Sequence, residues 1–155
     1  MATTITNATL TVTLTESISL NGSEQGASNT LTISNIDEIS KRIVTVPASE
    51  VTVIAMGTAV SNGTFVESDV LYIRITNKDD ANHVTLTFKD EGNSEFAVKL
   101  DKGQSFIYNG DLAGGVVDTM DANGSALSLA LGDLVDVTAI ADTAPVDLEI
   151  FVASK

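Results

Sequence analysis

The clearest pattern in the chain is a two-residue alternation of hydrophobic and polar positions. Between Thr9 and Leu20 the even positions are mainly leucine, valine and isoleucine, and the odd positions are threonine and serine. Because successive side chains of a strand point to opposite faces, this segment predicts a half-buried β-strand. One face is apolar and the other carries hydroxyl groups, and β-branched threonine suits such a strand.

Similar runs recur along the chain and are separated by turn sequences. The further predicted strands cover 30–36, 42–46, 51–56, 71–76, 84–89, 95–100, 104–108, 135–139 and 146–152. Asn-Gly pairs begin at positions 21, 62, 109 and 123, and both residues accept the positive φ of tight turns. An Asp-rich segment, 78–82, joins two runs, so we expect 71–89 to form one β-hairpin. The segment 101–103 predicts a short turn between adjacent strands.

Many short strands without a long helical period favour an all-β fold. We predict a single-domain antiparallel β-sandwich, jelly-roll-like, with about eight to ten strands. The length of 155 residues and the presence of only two prolines indicate one domain without a linker. We assign residues 10–155 to the sandwich and residues 1–9 to an N-terminal arm. The segment 125–131 is compatible with a short helix or with a loop that has apolar anchors.

The charge balance excludes several classes of partner. The chain has 21 acidic and 8 basic side chains and a net charge of −13, which disfavours nucleic acid and anionic membranes. The absence of cysteine excludes a disulfide scaffold and a thiolate metal site. The first residues do not resemble a secretion signal, and charged residues interrupt the most apolar stretch. We therefore expect synthesis in the cytoplasm, and neither a nucleic acid nor a membrane partner.

Candidate catalytic groups are sparse. His83 is the single histidine, and Asp79 or Asp80 could pair with it in acid–base chemistry, although an exposed histidine at a turn is the favoured interpretation. The chain has neither a nucleophile elbow nor a phosphate-binding glycine loop. We therefore predict that the protein is not an enzyme and assign no catalytic residues.

A calcium site is the one cofactor that the sequence leaves open. The segment 121–124 resembles the middle of a calcium-binding loop, but Thr119 and Ala130 would occupy its first and twelfth positions, where oxygen ligands including a bidentate Glu are required. An irregular site with Asp118 and Asp121 stays possible. We assign no metal ligands and otherwise expect no cofactor.

Four residues are candidates for an intersubunit contact. Tyr72 and Phe151 fall off the main apolar phase of their strands, so they face either a second layer or a partner subunit. The N-terminal strand lacks Lys and Pro, and such an edge invites aggregation unless it is paired. Pairing with a neighbouring subunit would place Thr3 and Ile5 at an interface; pairing within the same domain is the alternative.

Four segments carry a resemblance to a known group of proteins. They are VLYIRITN (70–77), VTLT (84–87), KLDKGQSF (99–106) and VDLEIFVA (146–153). In texture and order they resemble small β-rich virion structural proteins of tailed bacteriophages, particularly marine ones. The resemblance implies a capsid decoration (cement) protein, located in the virion, that binds the major capsid protein or other virion proteins without catalysis.

The resemblance also implies symmetric homo-oligomers, with trimers favoured, and often a jelly-roll-like sandwich. A tail, neck or head-fibre component is a closely related alternative. A carbohydrate-binding or adhesin-type sandwich module is the alternative from a different functional class.

Deletion of residues 2–9 tests the role of the N-terminal arm. We expect the deletion to weaken assembly and to leave the fold intact, because it removes an intersubunit contact and spares the sandwich. Sedimentation and circular dichroism measure the two effects, and unchanged assembly would contradict the prediction.

Overall fold

The computed structural model of the protein describes residues 4–121 and 130–155. Its regular elements are all β-strands, and the predicted all-β class is confirmed. The strands are β1 (Ala8–Thr15), β2 (Ser19–Leu20), β3 (Ser23–Glu24), β4 (Ser28–Ile36), β5 (Glu38–Val46), β6 (Val51–Gly57), β7 (Phe65–Val66), β8 (Val70–Asn77), β9 (Val84–Asp90), β10 (Glu95–Leu100), β11 (Ser105–Asn109), β12 (Leu134–Ala141) and β13 (Val146–Ser154).

Two larger sheets form the sandwich. The sheet with the order β5-β13-β8-β11 is called the front sheet here, and the sheet with the order β7-β6-β12-β9-β10 is called the back sheet. All strand pairs in both sheets are antiparallel except β6–β7, which is parallel. The predicted antiparallel sandwich therefore describes the body of the molecule.

The core lies between the facing sides of the two sheets. The strand β9 and residues 146–152 of β13 bury alternate residues, as the sequence pattern predicts. Phe88 is fully buried at the centre of an aromatic cluster. Its ring centroid lies 4.9 Å from Phe96, 4.9 Å from Phe106 and 5.6 Å from Tyr108. These rings link the back sheet to β11 of the front sheet.

The predicted hairpin over 71–89 is wrong. The strand β8 pairs with β11 and β13, whereas β9 pairs with β10 and β12, so the chain crosses from one sheet to the other between them. The Asn77 side chain holds this crossing: it donates to the carbonyl oxygens of Asn82 and Leu100, and its own oxygen accepts from the Asp79 N–H. Alternation shows which face of a strand is apolar but not which sheet the strand joins, and this explains the error.

The turn predicted at 101–103 is present, but the two strands that it joins are not paired with each other. Gly103 has φ of 73° and its N–H donates to the Asn77 carbonyl. The turn joins β10 to β11, which lie in opposite sheets. By contrast, β9 and β10 are consecutive strands that form a hairpin within one sheet.

The Asn-Gly pairs have different outcomes. Asn21-Gly22 forms a tight turn, with φ of 52° and 79°, and Gly63 follows Asn62 in a turn with φ of 84°. Asn109 is the last residue of β11, and the pair at 123 lies outside the described residues. The segment 125–131 lies mostly outside them as well.

The predicted strand over 9–20 is interrupted and forms a third layer. Its first part, β1, pairs with β4, and its second part, β2, pairs with β3 across the Asn21-Gly22 turn. Residues 8–36 thus form one long, interrupted hairpin, called the arm here. For residues 8–15 the structure shows the alternative in which the strand pairs within its own chain. This arm, residues 8–36, differs from the predicted N-terminal arm at 1–9, whose intersubunit contact stays a prediction.

The Phe88→Ala substitution tests the aromatic cluster. We expect a loss of about 3–5 kcal/mol in the free energy of unfolding, because the substitution leaves a cavity and removes three ring contacts. Denaturant titration measures the loss. Thr87→Ala on the outer side of the same strand is the control and should cost under about 1 kcal/mol. Similar losses for the two variants would contradict the packing described above.

Candidate assembly surface

The two faces of the arm follow from its alternating sequence. Cross-strand register places Leu10 opposite Ile33 and Val12 opposite Leu31 on one face. The other face carries hydroxyl pairs, among them Thr13 with Thr30, whose oxygens lie 3.4 Å apart. The apolar face packs against the outer side of the front sheet. The hydroxyl face is directed to solvent.

Tyr72 and Phe151 lie beneath residues 8–12 and 31–36 of the arm, which are called its root here. Tyr72 is 3% exposed and packs with Ile33, and its ring contacts Phe151 edge-on with centroids 6.1 Å apart. Burial raises the pKa of the Tyr72 hydroxyl. The second layer that these rings face is thus the arm of the same chain. Of the other two interface candidates, Ile5 is exposed ahead of β1, and Thr3 lies outside the described residues.

The outer half of the arm is exposed. Residues 13–30, called the arm tip here, are exposed with the single exception of the half-buried Gly26. Leu14, Ile18 and Leu20 continue the apolar positions of the root, yet their exposed fractions are 51%, 55% and 60%. The tip therefore presents apolar side chains that its own domain does not cover.

Specific contacts join the two strand pairs of the arm. The Glu24 carboxylate accepts the Ile18 N–H at 3.1 Å and the Gly26 N–H at 2.9 Å. Backbone hydrogen bonds of 2.8 Å join Glu16 to Ala27 and Gln25 to Ile18. A Cβ atom at Gly26 would lie 2.1 Å from the Glu16 carbonyl oxygen, so this position requires glycine. These contacts preorganise the tip, which lowers the entropy lost on binding.

A second exposed apolar surface lies on β5, the edge strand of the front sheet. Ile39 pairs in register with Ala153 and Ile43 with Glu149, so both isoleucines lie on the same outer face as the arm. Their exposed fractions are 55% and 62%, and Lys41 lies between them on this face. Ile39, Lys41 and Ile43 are called the β5 face here.

The sequence analysis missed the β5 face. It placed a strand only at 42–46 and assigned no interface to it. The available signal was that both phases of β5 are apolar, with Ile39 and Ile43 on one side and Val44 and Val46 on the other. Apolar residues on both faces of one strand indicate that each face packs against another part of the protein or against a partner.

A charged network borders the β5 face. The Glu149 carboxylate forms ion pairs with the Arg74 guanidinium at 2.7 Å and with the Lys41 ammonium at 3.5 Å. The Arg74 guanidinium also lies 5.9 Å from the centre of the Phe151 ring. The hydrogen bond from Arg74, followed by the charge of Lys41, holds the pKa of Glu149 below its usual value. The network thus ties β5, β13 and β8 together on the outer side of the front sheet.

The alternative in which His83 pairs with Asp79 is not observed. The partner of His83 is Asp142, with Nδ1 and the carboxylate oxygen 3.5 Å apart. The Asp79 carboxylate instead accepts the N–H groups of Ala81 and Asn82, and this lowers its pKa. Asp79 therefore shapes the crossing loop and does not orient the histidine.

The acidic residues near the candidate calcium segment have structural contacts. The Asp133 carboxylate accepts the Asp118 N–H at 2.8 Å. Nearby, desolvation and then the charges of Asp133 and Glu91 raise the pKa of the buried Glu67. Within 4–121 and 130–155, no group of three or more His, Asp or Glu side chains is placed to hold a metal ion. Most of the segment 121–124 lies outside these ranges.

Comparison with known proteins yields no relative: the chain matches no family model, no curated protein and no solved structure. In the described part of the chain there is no helix long and apolar enough to span a membrane.

The Glu149→Gln substitution tests the charged network. A carboxyl whose pKa is lowered by folding adds stability above its ordinary pKa of 4.5, and this stability disappears as the pH falls through the lowered value. We therefore expect the variant to be less stable than the wild type at neutral pH, and the difference to shrink below pH 4.5.

Urea titrations of the wild type and of Glu149→Gln, from neutral pH to below pH 4.5, measure the difference in the free energy of unfolding. Glu38→Gln, at the exposed start of β5, is the control and should show a smaller change at neutral pH. A stability difference that is independent of pH would refute the assignment to the ionised carboxylate.

Proposed function

We propose that the protein is a non-enzymatic structural subunit of a tailed-phage virion, and specifically a capsid decoration protein that binds the major capsid protein and stabilises the head. The arm tip is the observation that carries the assembly role, and the capsid as the partner follows from the resemblance of the sequence. The tip is a preorganised β-hairpin that extends from the sandwich with three large apolar side chains more than half exposed. Exposed apolar patches on a folded domain mark sites of association.

The strand order supports the jelly-roll part of the proposal. When β5, β6 and β8–β13 are numbered one to eight in chain order, the front sheet reads 1-8-3-6 and the back sheet reads 2-7-4-5. This order supports the proposed jelly roll, a fold in which two four-stranded sheets are wound together. Jelly rolls occur in viral capsid proteins and in lectins, so the fold is compatible with the proposal but does not decide it.

The surface charge suits a subunit on the outside of a particle. The net charge of −13 disfavours contact with packaged DNA and keeps particles apart in solution. A subunit that bridges capsomers binds only the assembled shell, so its binding energy stabilises that shell by mass action. Several copies held in one symmetric cluster would strengthen this bridge by multivalency.

Purified virions of the source phage provide the test. We expect mass spectrometry to find the chain at a fixed ratio to the major capsid protein, and cryo-electron microscopy to show its sandwich on the outer surface of the head. Heads assembled without the chain should break at a lower temperature, and addition of the purified protein should restore their stability. An unrelated acidic protein of similar size should not restore it.

The other outcomes reject the proposal. Absence of the chain from virions would end it. A location confined to the tail, neck or head fibres would replace decoration with the corresponding structural role. A monomer that binds immobilised glycans with calcium and does not bind heads would establish the carbohydrate-binding alternative.

A further inference from the structure

We propose that the partner of the arm tip is a second copy of this chain, and that the tip docks on the β5 face of that copy. The proposal deepens the function proposed above and relies on it only in treating the arm as an assembly element. It assigns a donor surface, the arm tip, and an acceptor surface, the β5 face.

The donor and the acceptor lie at opposite edges of one sheet. The root of the arm contacts Ala153 and Tyr72 on the two inner strands, and further out Leu14 lines a cleft with Ile107 and Asn109 on β11. The tip therefore leaves the sheet across β11, which is one edge, whereas β5 is the other edge. Three strand spacings, about 14 Å, separate the two edges, so the extended tip does not cover the β5 face of its own copy.

The β5 face continues the layer that the arm forms. Ile39 is paired with Ala153, which lies under the root of the arm, and Ile43 is four residues further along the strand on the same side. A tip from a neighbouring copy would lie beside the root on this outer side and cover both isoleucines. The front sheets of the two copies would then lie edge to edge, with β11 of one copy beside β5 of the other.

The charges of the two surfaces are complementary. Residues 13–30 include Glu16 and Glu24 and contain no Lys or Arg. The one charged side chain of the β5 face is Lys41, which is 60% exposed and lies 3.5 Å from Glu149. Two strongly acidic copies repel each other over most orientations, so an acidic tip favours a face whose own charged residue is a lysine.

The same charges argue against contact between two tips. In that arrangement the glutamates of both tips would approach each other, and like charges at an interface oppose binding. Because the donor and acceptor are different surfaces, two copies either exchange their tips reciprocally or make head-to-tail contacts. Head-to-tail contacts form a closed ring when the rotation between copies closes, and a trimer is one such ring.

Three double variants test the contact by sedimentation and light scattering of the full chain. The tip variant is Ile18→Ser with Leu20→Ser, and the face variant is Ile39→Ser with Ile43→Ser. The matched control is Val60→Ser with Leu112→Ser, since both residues are exposed apolar side chains outside these two surfaces. We expect the wild type and the control to form the same oligomer, and the tip and face variants to be monomers.

A mixture of the tip and face variants makes the test specific. The tip variant keeps a working face and the face variant keeps a working tip, so the mixture should form a 1:1 dimer and no larger species. Circular dichroism and thermal unfolding of each variant establish that the monomers are folded. A contact between two tips would not be rescued by this mixture.

A monomeric wild type, oligomeric tip or face variants, or a mixture that stays monomeric would each overturn the inference. These results do not depend on the virion experiments. If the chain is a monomer but is present on heads, the arm contact is rejected and the decoration function is retained. If the variants complement each other but the chain is absent from virions, the arm contact is retained and the decoration function is rejected.

Discussion

The structure depends on the burial of the front sheet on both of its faces. The inner side of β8 packs in the sandwich core, and its outer side at Leu71 and Tyr72 is also buried. Full burial of one large apolar side chain contributes about 1.5–3 kcal/mol, and the back sheet can cover only the inner side. A third layer is therefore required, and the root of the arm provides it.

The arm has two parts with different environments because the sheet beneath it is narrower than the arm is long. The root is buried where it crosses β13 and β8, and the tip is exposed beyond β11. The apolar alternation runs through both parts, although the chain covers only the root. This excess of apolar positions over the covering surface is the physical basis for assigning an assembly role to the tip.

Much of the sandwich could be predicted from alternation and turn residues. The strand 95–100 was predicted with the observed bounds, and Asn21-Gly22 forms the expected tight turn. Prediction was weaker for connections: the alternation in β8 and β9 is the same whether the strands lie in one sheet or in two. The observed connection is stabilised by the Asn77 side chain, which donates to the carbonyl oxygens of Asn82 and Leu100.

The candidate surface was only partly predictable. The off-phase positions of Tyr72 and Phe151 indicated that another layer covers them, but the identity of that layer required the path of the arm. The β5 face was missed because Ile39 lies outside the predicted strand 42–46, and because the exposure of Ile43 depends on where the arm ends. Exposure of an apolar residue is a property of its neighbours and cannot be read from its own position.

The sequence by itself determined the all-β class, the apolar and hydroxyl faces of the strands, most strand positions and the acidic character of the surface. These properties arise from local side-chain periodicity and from composition. Only the tertiary structure decided which strands share a sheet, that the N-terminal strands fold back over Tyr72, and that the arm tip and the β5 face stay exposed. Those outcomes depend on contacts between residues far apart in the chain, where one alternating pattern fits several partners and packing selects among them.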